Sequence, residues 1–576
     1  MKKFINWCCI ISLIFLFTSC SLNENPQSEF SKDKALSNSE LIYVNTVANL
    51  YTAISNGLYG ELNSIQMLNE LTSDEALIPG REGDWVDGGK WENLFLHNFE
   101  SSVNIYSNIW NYLYKVIALC NSSIDNLESI KGTNTNAEKY IYEVRALRAI
   151  YYYYTMDLFA QIPLVTSSKQ SISDVAQSNR SEVFKFITNE LSDCLPHLST
   201  DPSQHRGEYY GRITKAVAFM YMAKCALNAP IYTIDDTSPT SYQTFAGNDL
   251  SGACKASETL GKIVSESGKK INITVDGTSR NAWETVIYCV NQIKDLGYSL
   301  ETNYTDNFMV SNDNSVENIF TRPDDDNTYK LFDMNLYYSI HYNHGNAMGY
   351  QGGNGQCATV QQMNTLHYGK TDQDPRLSLN YYTGTDYIKD TGNKLVNDGA
   401  TDKNLEYLPL SVVVDFKAGS DAHIVKCAGA RFKKYEFDKS SSILGDINND
   451  LVIMRYGDAL LMKAEAEYRM GEKGKALTDI NIIRNRVGAT ERTILTLNDI
   501  LDERAAELAW EGVRRQDEIR FCTFTQPTAD RYAGVWHNAV ADDYKNDTQG
   551  YTVVFPIPYT VINLNNNLSQ NPGYLK

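Results

Sequence analysis

Apolar residues recur at helical spacing in two separate blocks of this 576-residue chain, and this pattern limits the fold more than any other feature. Ile105, Ile109, Leu113 and Ile117, for example, fall near one face of a helix. The same spacing predicts helices over 36–57, 101–128, 137–159, 181–197 and 212–228, and again over 453–470, 474–487 and 498–521. Asn498 is the predicted N-cap of the last helix.

The part of the chain between these blocks has a different composition. Residues 230–450 are rich in Asn, Asp, Gly and Tyr, which predicts long loops with a few short elements. The tail over 551–576 is β-like at first and then reads as loop. The sequence therefore predicts an all-α dominated fold with a large loop-rich insert and a few short strands.

Small residues in the second block follow the spacing of a tetratricopeptide (TPR) helix pair. Ala464, Ala466 and Ala476 would let two antiparallel helices approach closely, and Gly471 would open the turn between them. Less regular pairs of predicted helices at 137–197 and around 212–266 indicate further repeats. We therefore expect helical repeats over about 36–266 and 453–521.

The N-terminus reads as an export signal. Lys2 and Lys3 precede an apolar run over 4–17, which is shorter than the roughly 20 residues of a spanning helix. Small residues then lead to Cys20, as in a bacterial lipobox, so residues 1–19 are a predicted signal peptide and Cys20 a predicted lipid-attachment site. The other interpretation is an ordinary cleaved signal in which Cys20 has no role. Residues 20–33 are polar and contain Pro26, which predicts a tether.

Charge and cysteine usage exclude several classes of function. The net charge is −18, and it becomes more negative without the two N-terminal lysines, which argues against nucleic-acid binding. Acyl chains such as palmitate on Cys20 suit membrane attachment of an acidic chain better than electrostatic binding to lipid. No C-x-x-C pair supports a zinc or redox centre, and buried free thiols are the favoured interpretation. The cysteines concerned are Cys120, Cys194, Cys225, Cys254, Cys289, Cys357, Cys427 and Cys522.

Motifs spread over nearly the whole chain resemble those of the SusD/RagB family of Bacteroidetes surface lipoproteins. They lie at 20–26, 143–154, 158–164, 211–215, 455–466 and 503–512, followed by Arg514, Asp517 and Arg520, and then at 555–558 and 567–573. One departure is Ala160, where the family usually has glycine after Leu-Phe. The order of the motifs along the chain makes the resemblance specific.

The resemblance implies a fold and a function. The fold would be a TPR-like helical-repeat scaffold forming one SusD-like domain over 34–576, with a ligand-binding insert at about 230–450. The function would be capture of oligosaccharides at the outer membrane and delivery to a SusC-like TonB-dependent β-barrel, without enzymatic activity. A peptide-binding RagB-like lid and a structural lid with no ligand site are the alternatives. Glu24 and Glu29, close to the lipid cysteine, look like a surface-export signal, which implies a lipid-anchored protein facing the exterior.

Two aromatic stretches are candidates for a glycan site, because C–H faces of sugars stack on rings while hydroxyls need polar partners. The first is 81–91, with Arg81, Asp84, Trp85, Asp87 and Trp91. The second is 337–354, and its predicted ligand-binding residues are Tyr342, Asn346, Tyr350 and Asn354. Exposure is favoured for Trp85 and core packing for Trp91. For the aromatic residues of the second stretch, a role in the site and packing in the core are equally favoured. Core packing is also expected for Trp110, Trp283, Trp510 and the four tyrosines at 151–154.

Catalytic signatures are absent from the sequence. It contains no H-E-x-x-H, G-x-S-x-G or P-loop motif, although its 70 acidic residues leave a glycosidase pair open. The acidic stretches 324–326 and 446–450 offer oxygens to a structural Ca²⁺, but solvated turn residues are the favoured interpretation. No cofactor and no other metal are expected.

Overall fold

The computed structural model describes residues 43–53, 57–132, 134, 136–235, 258–325, 338–385, 388–389, 394–439, 447–525 and 550–574. The predicted signal peptide, Cys20, the tether, Tyr337 and Cys254 lie outside these residues. The seven cysteines that are described are all buried free thiols, as expected.

The N-terminal block consists of helices joined by turns, loops and short strands. A π-helical turn, Val44–Ala48, precedes α1 (Asn49–Thr52), α2 (Ile65–Leu71), α3 (Lys90–Phe95), α4 (Asn104–Glu128), α5 (Ala137–Phe159), α6 (Arg180–Cys194), α7 (Lys215–Leu227) and α8 (Ala229–Tyr232). The long helices α4 to α7 confirm the periodicity, since Ile105, Ile109, Leu113 and Ile117 are all buried. In sequence order, α5 packs against both α4 and α6.

Helix α5 is buried along most of its length, which explains its run of tyrosines. The four rings at 151–154 lie in the core, and each hydroxyl there has a partner. The Tyr151 hydroxyl is 2.7 Å from that of Tyr112, and the Tyr154 hydroxyl is 2.8 Å from that of Tyr221. Because a buried phenol needs such a partner, these tyrosines hold helices together, and the prediction of core packing is confirmed.

Ala160 ends α5 in a conformation that glycine adopts more easily. Its φ of +58° and ψ of −92° lie where a Cβ is disfavoured, and the residue is fully buried. The backbone N–H of Phe555 bonds to the Leu158 carbonyl at 2.7 Å, and the Asn571 amide bonds to the Phe159 carbonyl at 3.0 Å. The C-terminal motif therefore fixes the backbone at this turn.

Substituting Ala160 with glycine is expected to stabilise the protein. Relief of a strained backbone contributes about 1–3 kcal/mol, and the greater chain entropy of unfolded glycine offsets about 0.5–1 kcal/mol of it. Denaturant unfolding should show a net gain of about 1 kcal/mol with an unchanged slope. A loss of stability would show that the methyl group of Ala160 packs better than its backbone angles suggest.

The middle of the chain contains α9 (Glu258–Gly268), α10 (Ala282–Asp295), α11 (Tyr342–Ala347), α12 (Val360–Thr365), α13 (Arg376–Asn380) and α14 (Ala422–Cys427). Helix α10 packs against α7, and its Trp283 is fully buried, as expected. Residues 258–268 and 282–295, which the sequence places at least partly in the insert, are thus helical and pack against helices of the scaffold. The later region, from α11 to α14, has the short helices and long loops that its composition predicts.

Strands are short and pair two by two. They are β1 (Ala76–Leu77), β2 (Gly80–Arg81), β3 (Ile162–Pro163), β4 (Gln177–Ser178), β5 (Asn272–Val275), β6 (Thr278–Asn281), β7 (Asn318–Arg322), β8 (Cys357–Ala358), β9 (Tyr381–Tyr382), β10 (Asp415–Phe416), β11 (Arg431–Phe432) and β12 (Leu451–Arg455). The pairs β1–β8, β3–β4, β5–β6, β7–β12 and β9–β11 are antiparallel, and β2–β10 is parallel. Pairs β1–β8 and β2–β10 join residues 76–81 to the insert.

The C-terminal block consists of α15 (Tyr456–Met470), α16 (Lys473–Arg486), α17 (Leu497–Glu507), α18 (Arg514–Arg520) and α19 (Tyr559–Leu564). Helices α15 and α16 form the predicted TPR hairpin, with Gly471 in the left-handed conformation (φ +94°) between them. Ala464, Ala466 and Ala476 are fully buried, as close packing of the two helices requires.

Four sequence predictions in this block are wrong. Residues 451–455 form a strand, because they pair with β7 before the helix begins. The predicted helix over 498–521 is two helices, α17 and α18. The segment between them contains Trp510, which is buried and has a φ of +65°. The N-cap of α17 is Thr496 rather than Asn498, because Thr496 and Asp499 form a capping box. The tail contains the short helices Tyr551–Val553 and α19 instead of a strand.

Charged residues of the C-terminal motifs noted in the sequence belong to a buried ion cluster. It consists of Arg376, Lys434, Arg455, Arg484 and Arg486 with Glu317, Asp374, Glu503, Glu507 and Glu511. Arg455, for example, has Nη1 2.6 Å from Glu317 and 2.7 Å from Glu507. A second group around Asp458, Glu465 and Asp517 binds Arg504 and Arg520. These charges connect α15, α17 and α18 to the insert.

The two acidic stretches considered for Ca²⁺ meet in the structure. A carboxylate oxygen of Asp450 accepts the backbone N–H of Asp324 at 3.1 Å, and the Tyr210 hydroxyl lies 2.6 Å from the same carboxylate. The carboxylate of Asp324 is itself paired with Arg322 at 2.9 Å. Asp326 and Asp446 lie outside the described residues. Binding of Ca²⁺ therefore stays a prediction.

Asp450 is expected to make folding stability depend on pH. Burial raises the pKa of its carboxyl to about 7, with Asp313 adding to the rise and Tyr210, Asp324 and Arg206 opposing it. The folded state thus binds this proton more tightly than the unfolded chain does, where the pKa is about 3.9. Its stabilising contribution is complete below about pH 4 and is lost as the pH rises through about 7.

The variant Asp450→Asn should lose this pH dependence. Relative to the wild type, its unfolding free energy should rise between pH 4 and 7 by up to about 4 kcal/mol, at about 1.36 kcal/mol per pKa unit. Urea titrations at several pH values give the difference directly. Parallel pH profiles of the two proteins would contradict the shift.

Candidate glycan-binding site

The loop after β2 has an unusual backbone. Three of its non-glycine residues have positive φ, namely Glu82 (52°), Trp85 (58°) and Asp87 (42°). Such angles occur in only a few per cent of non-glycine residues, and they concentrate where function holds the chain in place. Arg81 and Asp84 close the loop through paired backbone hydrogen bonds of 2.8 and 3.2 Å. The loop therefore has a fixed shape that turns Trp85 towards the insert.

Trp85 joins the two aromatic stretches that the sequence singled out. Its indole N–H donates to the carbonyl of Gly353 at 2.8 Å, across 268 positions of sequence. Its ring meets that of Tyr338 edge to face, with centroids 5.3 Å apart. A Cβ at Gly355 would lie 2.8 Å from the Trp85 ring, so only glycine admits the indole here. The ring is half-buried, and the expectation of exposure is met in part.

Tyr342 begins α11, near enough to Asp84 for that charge to act on its hydroxyl. His341 caps the helix by accepting the Asn343 N–H at 3.1 Å, and its ring lies 3.9 Å from that of Tyr342. The ammonium of Lys426 is 5.7 Å from the Tyr342 centroid. Tyr342 is half-buried and Asn346 is exposed. Burial raises the pKa of the Tyr342 hydroxyl, and the charges of Asp398 and Asp84 add to the rise.

Four predicted site residues are buried, so their side chains do not reach the surface to which a ligand would bind. Arg81 donates to the carbonyls of Val425 and Ala428, and Asn354 accepts from Arg431 at 2.9 Å. Tyr350 packs edge to face on Phe437, with centroids 5.1 Å apart. Trp91 is 3 % exposed, which is the core packing that was favoured for it. These side chains support the loops from behind.

The exposed carboxylates of the first loop have different roles. Asp87 accepts the indole N–H of Trp91, so its charge anchors α3. Asp84 is exposed and accepts its neighbour's backbone N–H at 3.1 Å, which leaves further lone pairs for other donors. Of the two, Asp84 is better placed to accept hydrogen bonds from a ligand next to Trp85.

Buried positive charge lies behind this surface. Burial lowers the pKa of Arg81 to about 9, and the nearby Arg431 contributes to the shift. Burial, together with the same Arg431 and with Arg81, lowers the pKa of His341 to about 2. His341 is therefore neutral at physiological pH and caps α11 as an acceptor. The shape of the site therefore depends on these buried side chains and not on a group that changes its charge near physiological pH.

We define the aromatic site as Trp85, Tyr338 and Tyr342 with Asp84, Asn346 and Lys426. It combines half-exposed rings with one carboxylate, one amide and one ammonium, which suits stacking and hydrogen bonding of a polyhydroxylated ligand. Sequence reasoning missed Lys426, because it lies on α14 and comes near Tyr342 only through the fold. No motif at 422–427 marks it in advance.

Two family models match the chain. Residues 293–574 match the SusD family, and residues 29–227 match a family described as starch-binding associating with outer membrane. The chain belongs to the SusD/RagB family. The likeness predicted from the motifs is thereby confirmed over both the helical block and the insert.

The sequences of two individual SusD relatives align with most of the chain. The starch-binding protein SusD of Bacteroides thetaiotaomicron is 25 % identical over 88 % of this chain and 84 % of its own length. The SusD-like protein P25 of Formosa agariphila is 23 % identical over 98 % of this chain and 99 % of its own.

Solved structures share the SusD-like fold. Surface glycan-binding protein A from Bacteroides thetaiotaomicron, in complex with laminarihexaose, has a TM-score of 0.62 at 19 % identity, covering 92 % of this chain and 99 % of that one. A laminarin-binding SusD-like protein has a TM-score of 0.61 at 18 % identity, covering 93 % and 100 %. The predicted helix-rich SusD-like architecture is therefore confirmed.

SusD-family membership also decides between broad classes of function. SusD-like proteins bind ligands and are not enzymes, which confirms the prediction of no catalytic activity. The family is associated with the outer membrane. Among the residues that the structure describes, no helix has the length and apolar character needed to cross a bilayer.

Proposed function

We propose that this protein captures oligosaccharides at the aromatic site. The observation that carries the proposal is the Trp85 ring, which a strained loop holds half-buried against Tyr338. A flat, preformed ring surface binds a sugar without ordering a loop first, so it retains more of the contact energy. Asp84, Asn346 and Lys426 supply the hydrogen bonds that sugar hydroxyls require.

Relatives support glucans as the first ligands to test. The names of two of them refer to starch and to laminarin, and a third is described with laminarihexaose. Both polysaccharides are glucose polymers whose pyranose faces are available for stacking. We infer that the ligand of this protein is a neutral oligosaccharide of several residues.

We further infer delivery of the ligand to a SusC-like TonB-dependent β-barrel. In this arrangement the lipid on Cys20 anchors the protein to the outer membrane with residues 20–33 as a tether, and the folded domain faces the exterior. Family membership, the lipobox-like sequence before Cys20, and Glu24 and Glu29 support this arrangement.

Isothermal titration against a panel of oligosaccharides and peptides tests the proposal. We expect binding to at least one glucan in the micromolar range. Peptide binding without glycan binding would favour the RagB-like alternative. Absence of any ligand, together with co-purification of a barrel partner, would favour a purely structural lid.

Replacing Cys20 with alanine should separate anchoring from binding. Without a lipid the variant is expected to leave the membrane fraction, while its glycan affinity should stay close to that of the wild type, because the residues that define the aromatic site do not include Cys20. Membrane fractionation and titration measure the two effects. Retention of Cys20→Ala in the membrane fraction would show that Cys20 is not the anchor.

A further inference from the structure

Three potential metal ligands of different chemistry lie together in the core of the insert. They are Asp398, in the loop before β10, and His423 and Cys427, one turn apart on α14. Their ligand atoms all lie within 4.8 Å of one another, and all three residues are buried. This cluster is separate from the ring faces of the aromatic site.

The atoms converge on one nitrogen of His423. Its Nδ1 is 2.8 Å from a carboxylate oxygen of Asp398 and 3.6 Å from the sulphur of Cys427. His423 and Cys427 are four positions apart on a helix, which places both side chains on the same face. Asp421 fixes the start of this helix by accepting the N–H groups of His423 and Ile424 at 2.9 and 3.2 Å. The helix backbone thus fixes the directions in which the His423 and Cys427 side chains point.

A supporting shell holds the outer sides of the cluster. Asp398 accepts the backbone N–H groups of Ala400 and Thr401 at 2.9 and 2.7 Å, and the Thr401 hydroxyl at 2.5 Å. The other ring nitrogen of His423 lies 3.3 Å from the carboxylate of Glu406. A carboxylate on the far nitrogen is the usual partner of a metal-bound histidine, because it orients the ring and raises its basicity.

We propose that Asp398, His423 and Cys427 bind Zn²⁺, with Glu406 as the positioning residue. Nitrogen, sulphur and one carboxylate oxygen are a donor set that Zn²⁺ accepts, whereas Ca²⁺ requires six to eight oxygens. On binding, the thiol proton of Cys427 passes to solvent and the one ring proton of neutral His423 lies on the nitrogen that faces Glu406, so that the metal bonds to a neutral imidazole through Nδ1 and to a thiolate.

Zinc at this position would brace two walls of the aromatic site. A Cβ at Gly399 would meet the Tyr342 hydroxyl at 2.4 Å, so the Asp398 loop passes directly against that ring. Lys426, on α14 between the two helical ligands, faces the same ring. The metal would link the loop to the helix, but its binding does not depend on glycan binding.

Metal titration of the full-length chain, purified in detergent and stripped with a chelator, tests the proposal. We expect one Zn²⁺ per chain by calorimetry, and with Co²⁺ an absorption band from charge transfer out of a thiolate. Cys427→Ser should weaken Zn²⁺ binding at least tenfold and abolish that band. Cys194→Ser, which removes another buried thiol, and His367→Ala, which removes an exposed histidine paired with Asp372, should change neither.

Glu406→Gln provides a variant that leaves all three ligands in place. Loss of the second carboxylate should weaken Zn²⁺ binding by about tenfold or more. The proposal is overturned if the wild type binds no Zn²⁺, or if Cys427→Ser, shown to be folded by circular dichroism, binds it as the wild type does. If Cys427→Ser does not fold, absence of the Co²⁺ thiolate band from the wild type overturns it equally.

Discussion

Replacing Trp85 with alanine is expected to weaken oligosaccharide binding by roughly 30-fold, which is about 2 kcal/mol. Trp85 is the largest half-exposed ring of the aromatic site, and a stacked sugar would lose most of its apolar contact with it. The loop should keep its shape, because Arg81 and Asp84 close it through backbone hydrogen bonds and alanine needs no different φ. Calorimetric titration with the best ligand of the panel measures the change.

Two further variants separate stacking from indirect effects. Trp85→Phe keeps a ring but loses the indole donor to Gly353, so it should retain most of the affinity. Tyr559→Ala removes an aromatic side chain that is 48 % exposed and lies on the C-terminal helix α19, and it should change nothing. Unchanged affinity in Trp85→Ala would place the ligand elsewhere, and an equal loss in Trp85→Phe would assign the effect to loop position.

The helical part of the fold could be predicted from the sequence because its signals are local. The burial of Ile105, Ile109 and Leu113 follows from their spacing within three turns of helix. Gly471 fixes the TPR hairpin by a left-handed φ that only its immediate neighbours determine. Where tertiary pairing decided the structure, as for the strand at 451–455, local spacing gave the wrong element.

The site could be predicted only to the level of segments. Composition marked 81–91 and 337–354 as candidate ligand loops, and the structure brings described residues of both stretches together at Trp85. Which side chains face outwards depends on partners far away in sequence, such as Val425 for Arg81 and Arg431 for Asn354. The same applies to Cys427, because its neighbour Asp398 comes from a separate loop earlier in the chain. Contacts between residues so far apart in sequence leave no periodic pattern in the sequence itself.

The second large effect concerns Glu507, at the centre of the buried ion cluster. Its carboxylate contacts Arg376 at 3.1 Å, Arg455 at 2.7 Å and Arg486. Burial alone would raise the pKa of Glu507, but the three guanidinium groups outweigh burial and hold it well below the ordinary value. The cluster contains five basic and five acidic groups, so loss of one carboxylate leaves an uncompensated positive charge away from water.

Glu507→Gln should therefore lower the unfolding free energy by about 3–5 kcal/mol, the usual cost of removing one partner from a buried ion pair. The matched control is Glu472→Gln, whose solvent-exposed pair with Lys475 should contribute far less to the unfolding free energy. Denaturant unfolding of both variants compares the two environments directly.

A double variant tests whether excess charge is the cause. Adding Arg486→Met to Glu507→Gln removes one cation along with the anion, so the pair should be less destabilised than the sum of the single variants. Additive losses would mean that Glu507 stabilises the fold through packing and hydrogen bonds alone. Arg455, Glu503, Glu507 and Glu511 all lie in the C-terminal motifs, and because each of these charges is buried against opposite charges, none can be removed alone without leaving its partners unbalanced.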